Sequence, residues 1–174
     1  MSKMIIVTTL PKPTAAFIVS NTSGKAPLTV KFTDNSTGAI NSWSWNFGDK
    51  GTSTLQNPIH IYTKTGKYTV SLTVKDKVGS NVITKSNCII VMTPPVAAFS
   101  ASPTSGKASI TVKFTDKSTG TPTSWYWDFG DKTTSTVQNP THKYAKTGKY
   151  TVTLTGSNAA GKSVKTMPSY IIIK

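Results

Sequence analysis

Hydrophobic and polar residues alternate with a period of two over several short stretches of this chain. Leu28, Val30 and Phe32 alternate with Thr29, Lys31 and Thr33, and Tyr68, Val70, Leu72 and Val74 alternate with Thr69, Ser71, Thr73 and Lys75. Trp43, Trp45 and Phe47 share one face of a third stretch, with Ser42, Ser44 and Asn46 on the other. Successive side chains of a strand point to opposite faces, so this pattern predicts antiparallel strands with one buried side and one wet side. Turn-forming Gly, Pro, Asn and Asp separate the stretches, and no helical period is sustained. The expected fold is all-β, built as antiparallel sandwiches.

The pattern is written twice. An offset of 82 positions aligns Ala15–Ile90 with Ala97–Ile172 without a gap, and about 60% of the aligned residues are identical. The second copy alternates Ile110, Val112 and Phe114, then Trp125, Trp127 and Phe129, then Tyr150, Val152 and Leu154. This predicts an N-terminal extension over 1–13, one sandwich over 14–92, a proline linker over 93–95 and a second sandwich over 96–174. Consecutive Pro94 and Pro95 hold the linker extended and semi-rigid. A duplicated unit points to reach, rigidity or multivalent contact more than to one asymmetric active site.

The extension itself contains an apolar run, Met4, Ile5, Ile6 and Val7, which resembles Ile89-Ile90-Val91 and Ile171-Ile172-Ile173 at the ends of the two repeats. Three roles are open for it: the first strand of the first sandwich, the remnant of a longer array, or a strand that pairs with the edge of a neighbouring subunit in self-assembly. The run is short and closed by Pro11, which makes a poor secretory signal. No stretch reaches the roughly 20 apolar residues of a membrane span.

Charge narrows the partners. The chain carries 20 basic residues against 6 acidic ones, a net charge of +14, and every one of these is Lys or Asp. Arg supplies the planar fork that reads bases, so its absence argues against sequence-specific nucleic-acid binding. Lysines still attract anionic surfaces and glycans as point charges, and on strand faces they also block edge-to-edge pairing. The single Cys88 aligns with Tyr170, which marks a strand position.

The candidate chemistry is sparse. The Trp residues are in phase with the core face, which argues against sugar or base stacking by them. Tyr126 is out of phase and stands where the first repeat has Ser44, so it is a candidate partner contact. Asp49 and Asp131 follow Gly in a turn, where Asp bonds nearby backbone N–H groups, and Asp34 and Asp116 end strands in the same way. His60 and His142 are in phase with Tyr62 and Tyr144 and are expected to point inward. One His per repeat and no Glu leave no metal set. No Gly-x-Ser-x-Gly elbow occurs, and an enzyme is not expected.

Several of these segments together carry a resemblance. Trp45-Asn46-Phe47-Gly48-Asp49 and Trp127-Asp128-Phe129-Gly130-Asp131 resemble the W-D-F-G-D hallmark of PKD domains, the immunoglobulin-like modules named after polycystic kidney disease. Asn57-Pro58-Ile59-His60-Ile61-Tyr62 and Asn139-Pro140-Thr141-His142-Lys143-Tyr144 resemble its N-P-x-H-x-Y segment, and Gly66–Val70 and Gly148–Val152 its G-x-Y-T-V strand. The resemblance implies two consecutive seven-stranded PKD-type sandwiches without catalytic activity or cofactor. They would serve outside cells as structural, adhesion and spacer modules that touch proteins or glycans. Asn46 departs from the hallmark, and Lys50 and Lys132 stand where the family often has Gly. Some relatives bind Ca²⁺, but six Asp among twenty Lys argue against the several carboxylates such a site needs. Two other functions remain open: a virion surface component, and a non-specific polyanion binder. The expected contact positions are Tyr126, Lys50, Lys132 and the Met4–Val7 run; the expected structural set comprises Trp43, Trp45, Phe47, Asp49, His60, Tyr62, Trp125, Trp127, Phe129, Asp131, His142 and Tyr144.

Overall fold

The computed structural model describes residues 11–174. Their regular structure is all strand, and they divide into two compact units that part between Val91 and Met92. In the first unit the strands are β1 (Phe17–Val19), β2 (Ser23–Lys25), β3 (Leu28–Asp34), β4 (Ser42–Asn46), β5 (Thr52–Ser53), β6 (Ile59–Tyr62), β7 (Gly66–Lys75) and β8 (Ser80–Met92). They build a three-stranded sheet of order β1-β3-β6 and a five-stranded sheet of order β2-β8-β7-β4-β5. The second unit repeats the plan with β9 (Phe99–Ser102), β10 (Ser105–Gly106), β11 (Ile110–Asp116), β12 (Ser124–Asp128), β13 (Thr134–Ser135), β14 (Thr141–Tyr144), β15 (Gly148–Asn158) and β16 (Gly161–Ile173). Its sheets run β14-β11-β9 and β10-β16-β15-β12-β13.

Each unit has eight strands, one more than the resemblance implies, because its first strand is broken. β1 pairs with β3 in the small sheet, whereas β2 belongs to the large one, so the chain changes sheet between Val19 and Ser23. The two sheets face each other across a core made by the period-two alternation. Val30 and Phe32 of β3 and Val70, Leu72 and Val74 of β7 are all fully buried. Trp45 fills the centre: the rings of Phe17 and Phe32 lie 5.2 and 5.5 Å from its own, the first edge-on at 71°. Burying a ring of this size stabilises the sandwich by about 4–6 kcal/mol on area bookkeeping. The second core repeats this around Trp127, with Ile173 in place of Val91 and one side chain lost. Gly156 occupies the place of Val74 in the first unit, and Pro122 lies beside it where a Cβ would be.

One irregularity recurs in both units. The register between β7 and β8 shifts between Tyr68 and Val70, and that between β15 and β16 shifts between Tyr150 and Val152. Asn87 and Ser169 bulge there at φ 50° and 49°. Their N–H groups, pulled out of the ladder, donate to the hydroxyls of Thr69 and Thr151.

Candidate functional site

The hallmark segment is a strand that ends in a tight turn, and its polar atoms are engaged within the sandwich. Trp45 and Phe47 are buried, and Trp43 is half-buried at the end of the core. The Trp45 indole N–H donates to the Leu55 carbonyl at 2.9 Å and that of Trp43 to the Asp34 carboxylate at 2.7 Å. Trp127 and Trp125 repeat these bonds to Val137 and Asp116 at 3.0 and 2.8 Å. Asp34 also accepts from the Ser36 backbone and the Gln56 amide. Partial burial pushes its carboxyl up, but the bonds from Ser36, Trp43 and Gln56 outweigh this and hold it below the ordinary value. Asp116 is lowered in the same way.

Asp49 closes the turn by accepting the Gly51 N–H at 2.9 Å, and its second oxygen meets His60 Nε2 at 2.7 Å. The imidazole stacks on Phe47, 4.2 Å between ring centres and 12° from parallel. Asp131 and His142 form the same pair at 2.7 Å, joined by the Thr133 hydroxyl where the first unit has Gly51. Partial burial raises both carboxyls, yet both are lowered on balance: Asp49 by His60 and Gly51, Asp131 by Thr133 and His142. Tyr62 and Tyr144 complete the cluster, each donating from a buried hydroxyl to the carbonyl of Phe47 or Phe129 at 3.0 Å. Burial pushes both phenols well up, so they remain donors. These chains of bonds hold the turn on the sheet.

Lys50 and Lys132 are exposed at the turn tips, at φ 78° and 73°. Glycine occupies this left-handed region freely, whereas a residue with a Cβ is strained there by about 1–2 kcal/mol. Both repeats nonetheless place an outward charge at the tip. Tyr126 stands on the outer face of the five-stranded sheet of the second unit, 50% exposed. Its row runs Tyr126–Thr155–Val164 across β12, β15 and β16, between the rows Ser124–Ser157–Lys162 and Asp128–Thr153–Thr166. The ring therefore stands among the hydroxyl residues Ser124, Thr153, Thr155 and Ser157, with Asp128, Lys162 and exposed Val164 in the same rows. The Met4–Val7 run lies outside the described residues.

Other features were not singled out by the sequence pattern. Ile18, Ile59 and Ile61 of the first unit are 57%, 66% and 51% exposed on the outer face of the small sheet. Their out-of-phase positions turn them outward, and the polar residues at the matching positions of the second repeat, Ser100, Thr141 and Lys143, are the signal that could have marked them. Cys88 is half-buried in β8, and burial pushes its thiol up, away from reactivity. Among the described residues no three His, Cys, Asp or Glu side chains converge on a metal position, and no helix is long and apolar enough to cross a membrane.

Two facing sheets with a central tryptophan, antiparallel except where β10 runs parallel to β16, built twice in succession, define an immunoglobulin-like tandem. More narrowly, the chain belongs to the PKD domain family, whose profile matches residues 10–91 and again 92–173. The chain is 53% identical over 47 residues to collagenase ColA of Bacillus cereus, a match covering 27% of this chain and 5% of the collagenase. It is 44% identical over 68 residues to a microbial collagenase of Vibrio alginolyticus, covering 37% and 8%. The chain thus aligns with less than a tenth of either relative. Among solved structures, the PKD1 domain of the Vibrio cholerae metalloprotease PrtV is 34% identical, covering 45% of this chain and 95% of that one with a TM-score of 0.40. The I-band fragment I67-I69 of titin is similar over 95% of this chain and 67% of its own length, at 13% identity and a TM-score of 0.57, a likeness of fold. PKD domains are in general non-catalytic accessory modules, and two of them occupy nearly all of this chain.

Proposed function

We propose that the chain works outside the cell as a non-catalytic accessory tandem, which spaces or anchors its protein and touches an insoluble partner through the outer face around Tyr126. One observation carries this reading: the hallmark Trp, Asp, His and Tyr side chains are bonded into the two cores, so contact falls to outward positions where the repeats differ. Tyr126, half-exposed among hydroxyls, is such a position, and tyrosine supplies large contact area at small entropic cost. The matches to collagenases and a metalloprotease favour an accessory role beside extracellular degradation over a virion role. They also make collagen the first partner to try.

The test is co-sedimentation of the full chain with insoluble type I collagen fibrils. Tyr126→Ser restores the residue of the first repeat and should leave the melting temperature unchanged. It should weaken binding by at least about fivefold, the effect of losing about 1 kcal/mol of aromatic contact. Absence of wild-type binding, or equal binding by the variant, would refute this use of the face. Retention on heparin that vanishes with modest salt, without collagen binding, would favour the polyanion reading.

A further inference from the structure

The first unit leaves one sheet edge open in a way the second does not. β6 is the last strand of its sheet and pairs only with β3, in the register Lys31↔Ile59, Val30↔His60, Thr29↔Ile61 and Leu28↔Tyr62. The Phe32 N–H donates to the Pro58 carbonyl, which sets the phase of the ladder. Bonding alternates along an antiparallel pair, so His60 and Tyr62 face β3, while the N–H and C=O groups of Ile59 and Ile61 point out along the open edge. Among the described residues no other strand pairs with that edge. The edges at β1 and β9 are guarded. Lys85 Nζ donates to the Phe17 carbonyl of β1 at 2.7 Å and sits over the Phe17 ring, and the Tyr170 hydroxyl accepts the Ala101 N–H of β9. β5 and β13 are only two residues long.

The side chains at the open edge are apolar where they need not be. Ile59 and Ile61 are 66% and 51% exposed, and Ile18, opposite Thr33 across the same face, is 57% exposed. The second unit builds the same edge with Thr141 and Lys143, and has Ser100 in place of Ile18. Those polar residues satisfy the fold, and a lysine at an edge is the usual guard against strand addition. The first unit has isoleucine where the second has that guard.

The charge around the edge indicates what would pair with it. Lys31 stands in the face directly across from Ile59, and exposed Lys64 follows β6 by two residues. Nine lysines face three aspartates between residues 11 and 91. All three aspartates are engaged, Asp34 by Trp43 and Ser36, Asp49 by His60 and Gly51, and Asp76 by the N–H groups of Val78 and Gly79. A second copy of the chain would bring its own +14 charge, which opposes self-pairing. We infer that the β6 edge of the first unit accepts an extended segment of another protein, in which apolar residues alternate with Asp or Glu. Backbone bonds to Ile59 and Ile61 would hold the strand and its apolar side chains would cover the isoleucines, while its carboxylates, on the opposite face of the added strand, would be drawn by the lysine excess of the unit, Lys64 among them.

The experiment uses the full chain and a fluorescein-labelled peptide of alternating Val and Glu, read by anisotropy, with a Val–Lys peptide as its counterpart. The Val–Glu peptide should bind and slow amide hydrogen exchange at Ile59 and Ile61, and the Val–Lys peptide should bind at least about tenfold more weakly. The double variant Ile59→Thr, Ile61→Lys, which copies the second unit, should lose about tenfold or more, whereas Tyr126→Ser should bind as the wild type does. The exchange measurement on the wild type decides the matter should the double variant fail to fold. Failure of the Val–Glu peptide to bind, or no protection at Ile59 and Ile61, overturns the inference. So does a wild-type dimer in sedimentation velocity that the double variant abolishes, because the occupant is then a second copy.

Discussion

Replacing Tyr62 by Phe removes a single oxygen atom from the centre of the first sandwich. That oxygen donates to the Phe47 carbonyl at 3.0 Å, and Tyr62 and Phe47 are 0% and 1% exposed. The ring keeps its packing against His60 and Tyr68, so little apolar burial is lost. What remains is a buried carbonyl without its donor, which costs about 1–3 kcal/mol. A domain of this size shifts in melting temperature by about 4–8 °C per kcal/mol, so the variant should melt at least about 4 °C lower. Burial keeps the phenol protonated, and the loss should therefore be constant from about pH 5 to 9. Differential scanning calorimetry of the full chain measures it. Tyr144→Phe should lower the transition of the second domain by a similar amount, because its hydroxyl donates to Phe129 at the same distance. A shift under about 2 °C for both variants would refute the reasoning, since it would mean that the orphaned carbonyl finds another donor.

Gly48 lies at φ +84°, and a Cβ there would run into the Thr69 carbonyl oxygen, so Gly48→Ala should destabilise the first domain by about 2–4 kcal/mol in urea unfolding. An unchanged midpoint would show that the turn can move away from β7. The pH dependence has a defined sign. Asp34, Asp49, Asp116 and Asp131 all lie below the ordinary value of 3.8 when folded, so their contribution is fully present above that value. It is lost as pH falls through the lower folded values, and the melting temperature should drop on that acid limb. The double variant Asp34→Asn, Asp116→Asn should flatten the limb, and an unaltered limb would sink the assignment.

Much of the fold is written in local alternation. Val30, Phe32, Val70 and Leu72 are buried because a strand shows every second residue to one side, and that rule needs no knowledge of partners. The break of the first strand between Val19 and Ser23 was not legible, because it depends on which sheet each half reaches. Similarly, the sequence spacing of Trp43 and Asp34 does not show that indole and carboxylate meet at 2.7 Å, since β3 and β4 lie in different sheets. Tyr126 stood out as an out-of-phase aromatic where the repeats differ. Ile59 and Ile61 are also out of phase, but isoleucine is so common in strands that phase alone did not mark them.

The sequence alone determined that this is a β protein, that it is one unit built twice, and which side chains face inward. Those properties follow from periodicity and repetition, which are local or self-referential. Only the tertiary structure decided that β6 ends its sheet, that Lys85 plugs the β1 edge, and that the isoleucines stand beside open backbone groups. Edges and their guards are made by residues distant in the chain, Phe17 with Lys85 and Ala101 with Tyr170, and no local pattern encodes such pairings.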